Sequence, residues 1–168
     1  MLILLSLGLW KFTEKIEAKF VGVYMKTARF EFKIDKAANC IFVRHFGLVD
    51  LASILDRGSA IFNHADYQSG LNRITDFTGV ETKLSSEDIR LITDKISLRK
   101  TESGNYREAV IVDNLLGYGL VRIFNSLSSL NENEYEIFST EDGDVSFKVK
   151  NWLNLDSSFL FPGFLSVK

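Results

Sequence analysis

The sequence predicts an α/β domain: a mostly parallel five-stranded sheet with about four helices, in the order β-β-α-β-α-β-α-β-α. Three observations carry this prediction. Short β-rich runs alternate with apolar residues at helical spacing, which places helices between parallel strands. The run Ala109–Val112 is uninterruptedly apolar and ends at Asp113, as a strand covered on both faces should be. The chain of 168 residues is 46% hydrophobic and 25% charged with a single Pro, a composition that fits one well-filled core.

Each element has its own signal. Ala28 to Ile34 alternates Phe30, Phe32 and Ile34 with polar or small neighbours, and after the turn-prone Asp35 to Asn39 a second strand runs from Cys40 to Phe46, giving a hairpin. Beyond Gly47, Asp50 can cap a helix in which Leu51, Ile54, Leu55, Ile61 and Phe62 recur on one side. Gly58 is its weak point, and it ends near Asn63. Leu71 to Phe77 reads as the third strand and Ser85 to Leu98 as the second helix, with Ile89, Ile92 and Ile96 on one face. The polar, Gly-containing stretch Lys100 to Arg107 reads as a loop, and Ala109–Val112 as the strand at the sheet centre. A third helix is marked by Leu116, Leu120, Ile123, Phe124, Leu127 and Leu130, a last strand by Tyr135 to Phe138, and a fourth helix by Val145, Val149, Trp152 and Leu153. Ser139, with Asp142 three residues on, is expected to cap that last helix.

The chain thus divides into an apolar N-terminal extension, 1–27, a domain over 28–155 and an apolar tail, 156–168. Met1 to Trp10 is too short an apolar run to span a membrane, and it lacks the basic lead and cleavage site of a secretory signal. It reads as an extra element packed on the core, or as the product of a start placed ahead of Met25. The tail segment Phe159 to Leu165 is expected either to pack on the domain or to bind a partner.

Charge and chemistry narrow the function classes. With 20 basic and 22 acidic residues, a formal charge of -2 supplies no footprint for nucleic acid. Cys40 is the only cysteine, so no internal disulfide forms and a reducing, cytoplasmic setting is expected. The only histidines, His45 and His64, are far apart in sequence and lack Cys neighbours at zinc spacing, so neither a metal nor another cofactor is expected. Gly117-Tyr118-Gly119 lacks the third glycine of a dinucleotide loop and the Lys-Ser/Thr of a P-loop. The carboxylates Asp76, Asp113 and Glu141 have no base that the sequence places beside them, and catalysis is not expected.

The strand-to-helix corner from Asp76 to Asp88 is the most telling segment. Ser85 as N-cap with Asp88 at the third helical position approximates a capping box, Leu84 and Ile89 form a hydrophobic staple, and Glu87 and Asp88 complement the helix dipole. Asp76-Phe77-Thr78-Gly79-Val80-Glu81 followed by Leu84-Ser85-Ser86 resembles the strand-turn-helix segment of STAS domains, in whose anti-sigma-factor antagonists the second serine is phosphorylated. That resemblance would put a phosphate on Ser86, although Leu84 and Glu87 depart from the motif's Asp and Gly.

A closer resemblance is to the bacterial SpoIIAA-like, or STAS/CRAL-TRIO-like, proteins. It rests on Phe46-Gly47-Leu48-Val49-Asp50, Tyr67 to Leu71, Ile74-Thr75-Asp76, Leu84 to Asp88, Ala109–Val112, Gly119-Leu120 and Trp152-Leu153, in that order. It implies a cytoplasmic, often dimeric domain and brings no catalytic residues with it. The favoured expectation is a non-enzymatic binding or regulatory module meeting a protein partner or a second copy of itself. The alternatives are a carrier of a small apolar or lipid-like ligand, which needs a cavity of at least about 300 Å³, and a phospho-switch at Ser86 or Ser85. Asp76, Thr78, Ser85, Ser86 and Asp113 are the candidate regulatory or ligand-contacting residues, Asp113 because open α/β sheets bind ligands beyond the carboxyl ends of their strands.

Overall fold

A computed structural model describes residues 29–113, 119, 121 and 133–167. The N-terminal extension, nearly all of the predicted third helix and the Gly117-Tyr118 pair lie outside the described residues. Five strands form the main sheet: β1 (Arg29–Asp35), β2 (Cys40–Phe46), β4 (Asn72–Asp76), β6 (Arg107–Val112) and β7 (Glu134–Ser139), side by side in that order. β1 and β2 are an antiparallel hairpin, and every other pairing is parallel. A second, two-stranded sheet joins β3 (Leu48–Val49) to β5 (Glu81–Thr82) and ties the two strand-to-helix corners together.

The central strand is β4, not the apolar Ala109–Val112 run, which lies in β6 next to it. The apolar run reports burial on both faces, a condition that any strand inside a parallel sheet meets. β4 carries Arg73, Thr75 and Asp76 into the centre because each finds polar partners there, as shown below.

The helices start where their caps dictate. α1 (Leu51–Phe62) opens on a capping box in which the Asp50 carboxylate accepts from the Ser53 amide at 2.9 Å and the Asp50 amide donates to Ser53 Oγ at 3.1 Å. α2 (Ser86–Leu98) opens on the predicted Ser85–Asp88 box, with Asp88 N to Ser85 Oγ at 3.1 Å and Ser85 N to Asp88 Oδ2 at 2.8 Å. The predicted loop from Lys100 instead contains one further helical turn, α3 (Lys100–Ser103), which stops at Gly104, where φ is +64°. A Cβ at that position would come within 2.5 Å of Ser69 Oγ, so only glycine fits. α4 (Val145–Leu153) is capped by Asp144, whose carboxylate accepts from the Phe147 amide at 3.1 Å. Ser139 caps a separate 3₁₀ turn, Thr140–Asp142, because Gly143 breaks the chain before α4 begins.

Two layers cover the sheet. Phe42, Ile74, Ala109, Ile111 and Phe138 pack against Val149 and Leu153 of α4 and against Leu165 and Val167 of the tail. Phe159, Phe161 and Phe164 extend that layer, with the Phe159 and Phe42 rings stacked at 5.6 Å. The apolar tail is therefore part of the core. On the opposite face Ile41 and Val43 meet Ile61 of α1, while Val49, Ile54 and Val80 meet Ile92 of α2. Cys40 is fully buried under the tail layer, and burial, with the charge of Asp35 behind it, pushes its thiol up. A thiol-reactive dye should accordingly label Cys40 only as fast as the protein unfolds. Rapid labelling of the native protein would contradict this packing.

Candidate functional site

The corner after β4 brings three of the predicted residues together. Asp76 is fully buried; its Oδ1 accepts from the Thr78 amide at 2.9 Å, and its Oδ2 accepts from the amide and hydroxyl of Ser166 at 2.7 and 2.6 Å. The Thr78 hydroxyl lies 2.7 Å from both Asp76 Oδ1 and Ser166 Oγ. Arg44 reaches the same cluster, with Nε 3.8 Å from Asp76 Oδ2 and a terminal nitrogen donating to the Phe164 carbonyl at 2.7 Å. Asp113, at the end of the neighbouring strand, accepts from the Gly79 amide at 2.7 Å. Asp76 and Thr78 thus fasten the tail across the carboxyl ends of the strands, where open α/β sheets usually receive a ligand. Ser85 and Ser86 are not drawn into this network. The Ser85 hydroxyl is engaged with Asp88 Oδ2 at 2.7 Å, and Ser86 stands exposed at the first position of α2 beside Glu87.

A different site opens on the face carrying α1 and α2. Between these helices and strands β4 and β6 lies a cavity of about 330 Å³. Val49, Ile54, Leu84, Ile89, Ile92 and Ile96 form its apolar wall. The sheet supplies a polar floor. Ile41, Arg73, Glu108 and Tyr135 are successive register partners across β2, β4, β6 and β7, so their side chains form one row on one face. Within it Glu108 Oε1 accepts from the Thr75 hydroxyl at 2.6 Å, Arg73 donates to the Tyr106 hydroxyl at 3.1 Å, and the Tyr106 and Tyr135 hydroxyls meet at 3.2 Å. The Arg73 guanidinium lies 4.0 Å from the centre of the Tyr106 ring, a cation–π contact.

α1 adds Arg57 to the wall, one terminal nitrogen 3.5 Å from Nε2 of the fully buried His45. His45 stacks on Phe77 with ring centroids 4.9 Å apart and planes 11° from parallel. Burial, then the Arg57 charge, pushes His45 down to about 3, so its imidazole is neutral near pH 7 and accepts from arginine. Burial holds Arg57 below the usual arginine range. For Arg73 burial acts in the same direction, but Tyr106, Glu108 and their neighbours outweigh it and raise the group. Burial likewise pushes the Tyr106 and Tyr135 hydroxyls up, which keeps them as neutral donors and acceptors. The Nε atoms of Arg57 and Arg73 are buried and have no hydrogen-bond partner among the described residues. Among the described residues no three His, Cys, Asp or Glu side chains are grouped to hold a metal, and no helix is long and apolar enough to cross a membrane.

The sequence carried signals for this second site. Arg57 lies three residues after Ile54 and four before Ile61, on the buried side of an amphipathic helix, where a charge is costly unless it has a use. Arg73 and Glu108 sit inside parallel strands covered on both faces.

No family model matches the chain, and no curated protein matches it. Among solved structures it is similar to the crystal structure of an uncharacterized protein of the DUF3478 family with a SpoIIAA-like fold from Shewanella loihica PV-4. The identity is 13%, the match covers 74% of this chain and 93% of that one, and the TM-score is 0.47.

Proposed function

We propose that the domain is a non-enzymatic binding protein that carries a small, largely apolar molecule in the cavity between α1, α2 and the sheet. One observation carries the reading: a cavity of about 330 Å³ with a continuous Val/Ile/Leu wall and a few convergent polar groups on its floor. Close-packed interiors leave few voids larger than a water molecule, whereas ligand pockets start at about 300 Å³. The reading through protein contacts had its main motive in the apolar termini. In the described one, Leu165 and Val167 are occupied within the core, which favours the cavity instead.

Gly58 offers a direct test. It lines the cavity from α1, and a Cβ added there would meet no atom within 4 Å. Gly58→Ala is expected to stabilise the protein by about 0.5–1 kcal/mol through helix propensity alone. Gly58→Met places a longer chain toward the cavity and is expected to weaken binding of octan-1-ol at least tenfold while the fold is kept. Native mass spectrometry of the protein purified from its own cells should show a small-molecule adduct that is lost on denaturation. No adduct, together with octan-1-ol binding that is absent or indifferent to Gly58→Met, would rule the carrier reading out.

A further inference from the structure

We infer that the ligand is an amphipathic anion, a single short acyl chain headed by a carboxylate, with the head held between Arg57 and Arg73. The inference rests on the carrier reading and adds the chemistry of the molecule carried. Among the described residues the charges lining the cavity are unequal: Arg57, Arg73, Lys95 and Arg99 against Glu108. Glu108 is already engaged by the Thr75 hydroxyl, and among the described residues no carboxylate lies within 4.0 Å of either the Arg57 or the Arg73 guanidinium. Their hydrogen-bond partners are neutral, His45 for one and the hydroxyls of Tyr106 and Tyr67 for the other, and one N–H of each guanidinium is buried without an acceptor among the described residues.

A guanidinium cannot relieve this by losing its proton, since its pKa stays far above neutrality. Two half-buried cations whose hydrogen-bond partners are neutral and whose Nε atoms are buried leave a place for an anion, and a planar carboxylate matches the two-donor edge that a guanidinium presents. The nearby Glu108 favours a head with one negative charge over one with two. The apolar wall of Val49, Ile54, Ile89 and Ile92 suits a hydrocarbon chain. At roughly 30 Å³ for each water-sized group, a cavity of 330 Å³ takes about ten non-hydrogen atoms, the size of octanoate.

Calorimetric titration of the full chain with octanoate, octan-1-ol and octylamine compares heads on one chain and needs no variant. Octanoate is expected to bind at least tenfold more tightly than either of the others. Replacing Arg57→Gln and Arg73→Gln together should bring octanoate down to the affinity that the same variant shows for octan-1-ol. Glu108→Gln should strengthen octanoate several-fold, a gain that a purely structural glutamate would not produce. Equal affinity for octanoate and octan-1-ol overturns the anionic head and leaves the carrier standing. No binding of any of the three overturns both.

Discussion

Replacing Asp76 by alanine is expected to remove about 3–5 kcal/mol of stability, the scale set by stripping a buried charge from partners that depend on it. Four donors converge on this carboxylate: the amide and hydroxyl of Thr78 and those of Ser166. In its absence the two hydroxyls can still pair with each other, but the two amides lose an acceptor, and a buried unsatisfied group costs about 1–3 kcal/mol. Arg44 loses its counter-charge in the same step. Asp76→Asn should fare little better, because its amide nitrogen would face either Thr78 or Ser166 with donor against donor. For a chain of this size the loss corresponds to a melting temperature lower by on the order of 10 °C. The tail should be released before the sheet, since Leu165 and Val167 reach the core only if Ser166 is held between them. Hydrogen exchange locates the effect: the Ser166 amide should lose its protection while the amides of β4 and β6 keep theirs. A variant that melts with the wild type and still protects Ser166 would show that the tail is held by its apolar contacts alone.

What the sequence disclosed about this corner, and what it concealed, follows from the range of the interactions. The Ser85–Asp88 capping box was legible because donor and acceptor lie three residues apart and the helix pattern begins beside them. Asp50 was legible as a cap for the same reason, although its partner at the third helical position is a serine. Asp76 was recognised as a notable residue, but its partner Ser166 is 90 residues away in a tail that no local periodicity marks. The polar floor of the cavity was hidden in the same way. Thr75 and Glu108 are 33 residues apart, and only the parallel pairing of β4 with β6 brings them together. The misplaced centre of the sheet has a related cause. An apolar run advertises burial, whereas β4 is buried at Ile74, Thr75 and Asp76 with the half-buried Arg73 beside them. Charged residues at core-facing positions were the overlooked signal, since a core position tolerates them only when the fold or a ligand supplies a partner.

His45 leads to the second large effect, a dependence of stability on acid that one side chain dominates over a definite range. The folded protein holds the imidazole neutral down to about pH 3, whereas the unfolded chain protonates it near 6.5. A depressed folded-state value means that only the unfolded state takes up the proton as pH falls between those limits. Stability is therefore fully present above about pH 6.5 and declines toward acid by about 1.4 kcal/mol per pH unit. Between pH 6.5 and 5 this amounts to roughly 2 kcal/mol. The carboxylates with lowered values, among them Asp35 and Asp88, lose their contributions only as pH falls through the unfolded carboxylate range near 4, below that window. Urea melts of the wild type and of His45→Gln at pH 7.5, 6.5, 5.8 and 5.0 separate the two. Gln keeps an oxygen that can accept from Arg57 and cannot be protonated in this range, so its stability should stay nearly flat from pH 6.5 to 5 while the wild type declines. Parallel curves for the two proteins would mean that His45 takes up its proton inside the fold. Arg57 would then have lost the acceptor that now occupies one edge of its guanidinium. The same melts repeated with octanoate join this result to the cavity, because a bound carboxylate beside Arg57 adds stability by mass action in both proteins, and the ligand's own protonation near pH 5 enters both curves alike, so the difference between the two acid slopes still reports His45.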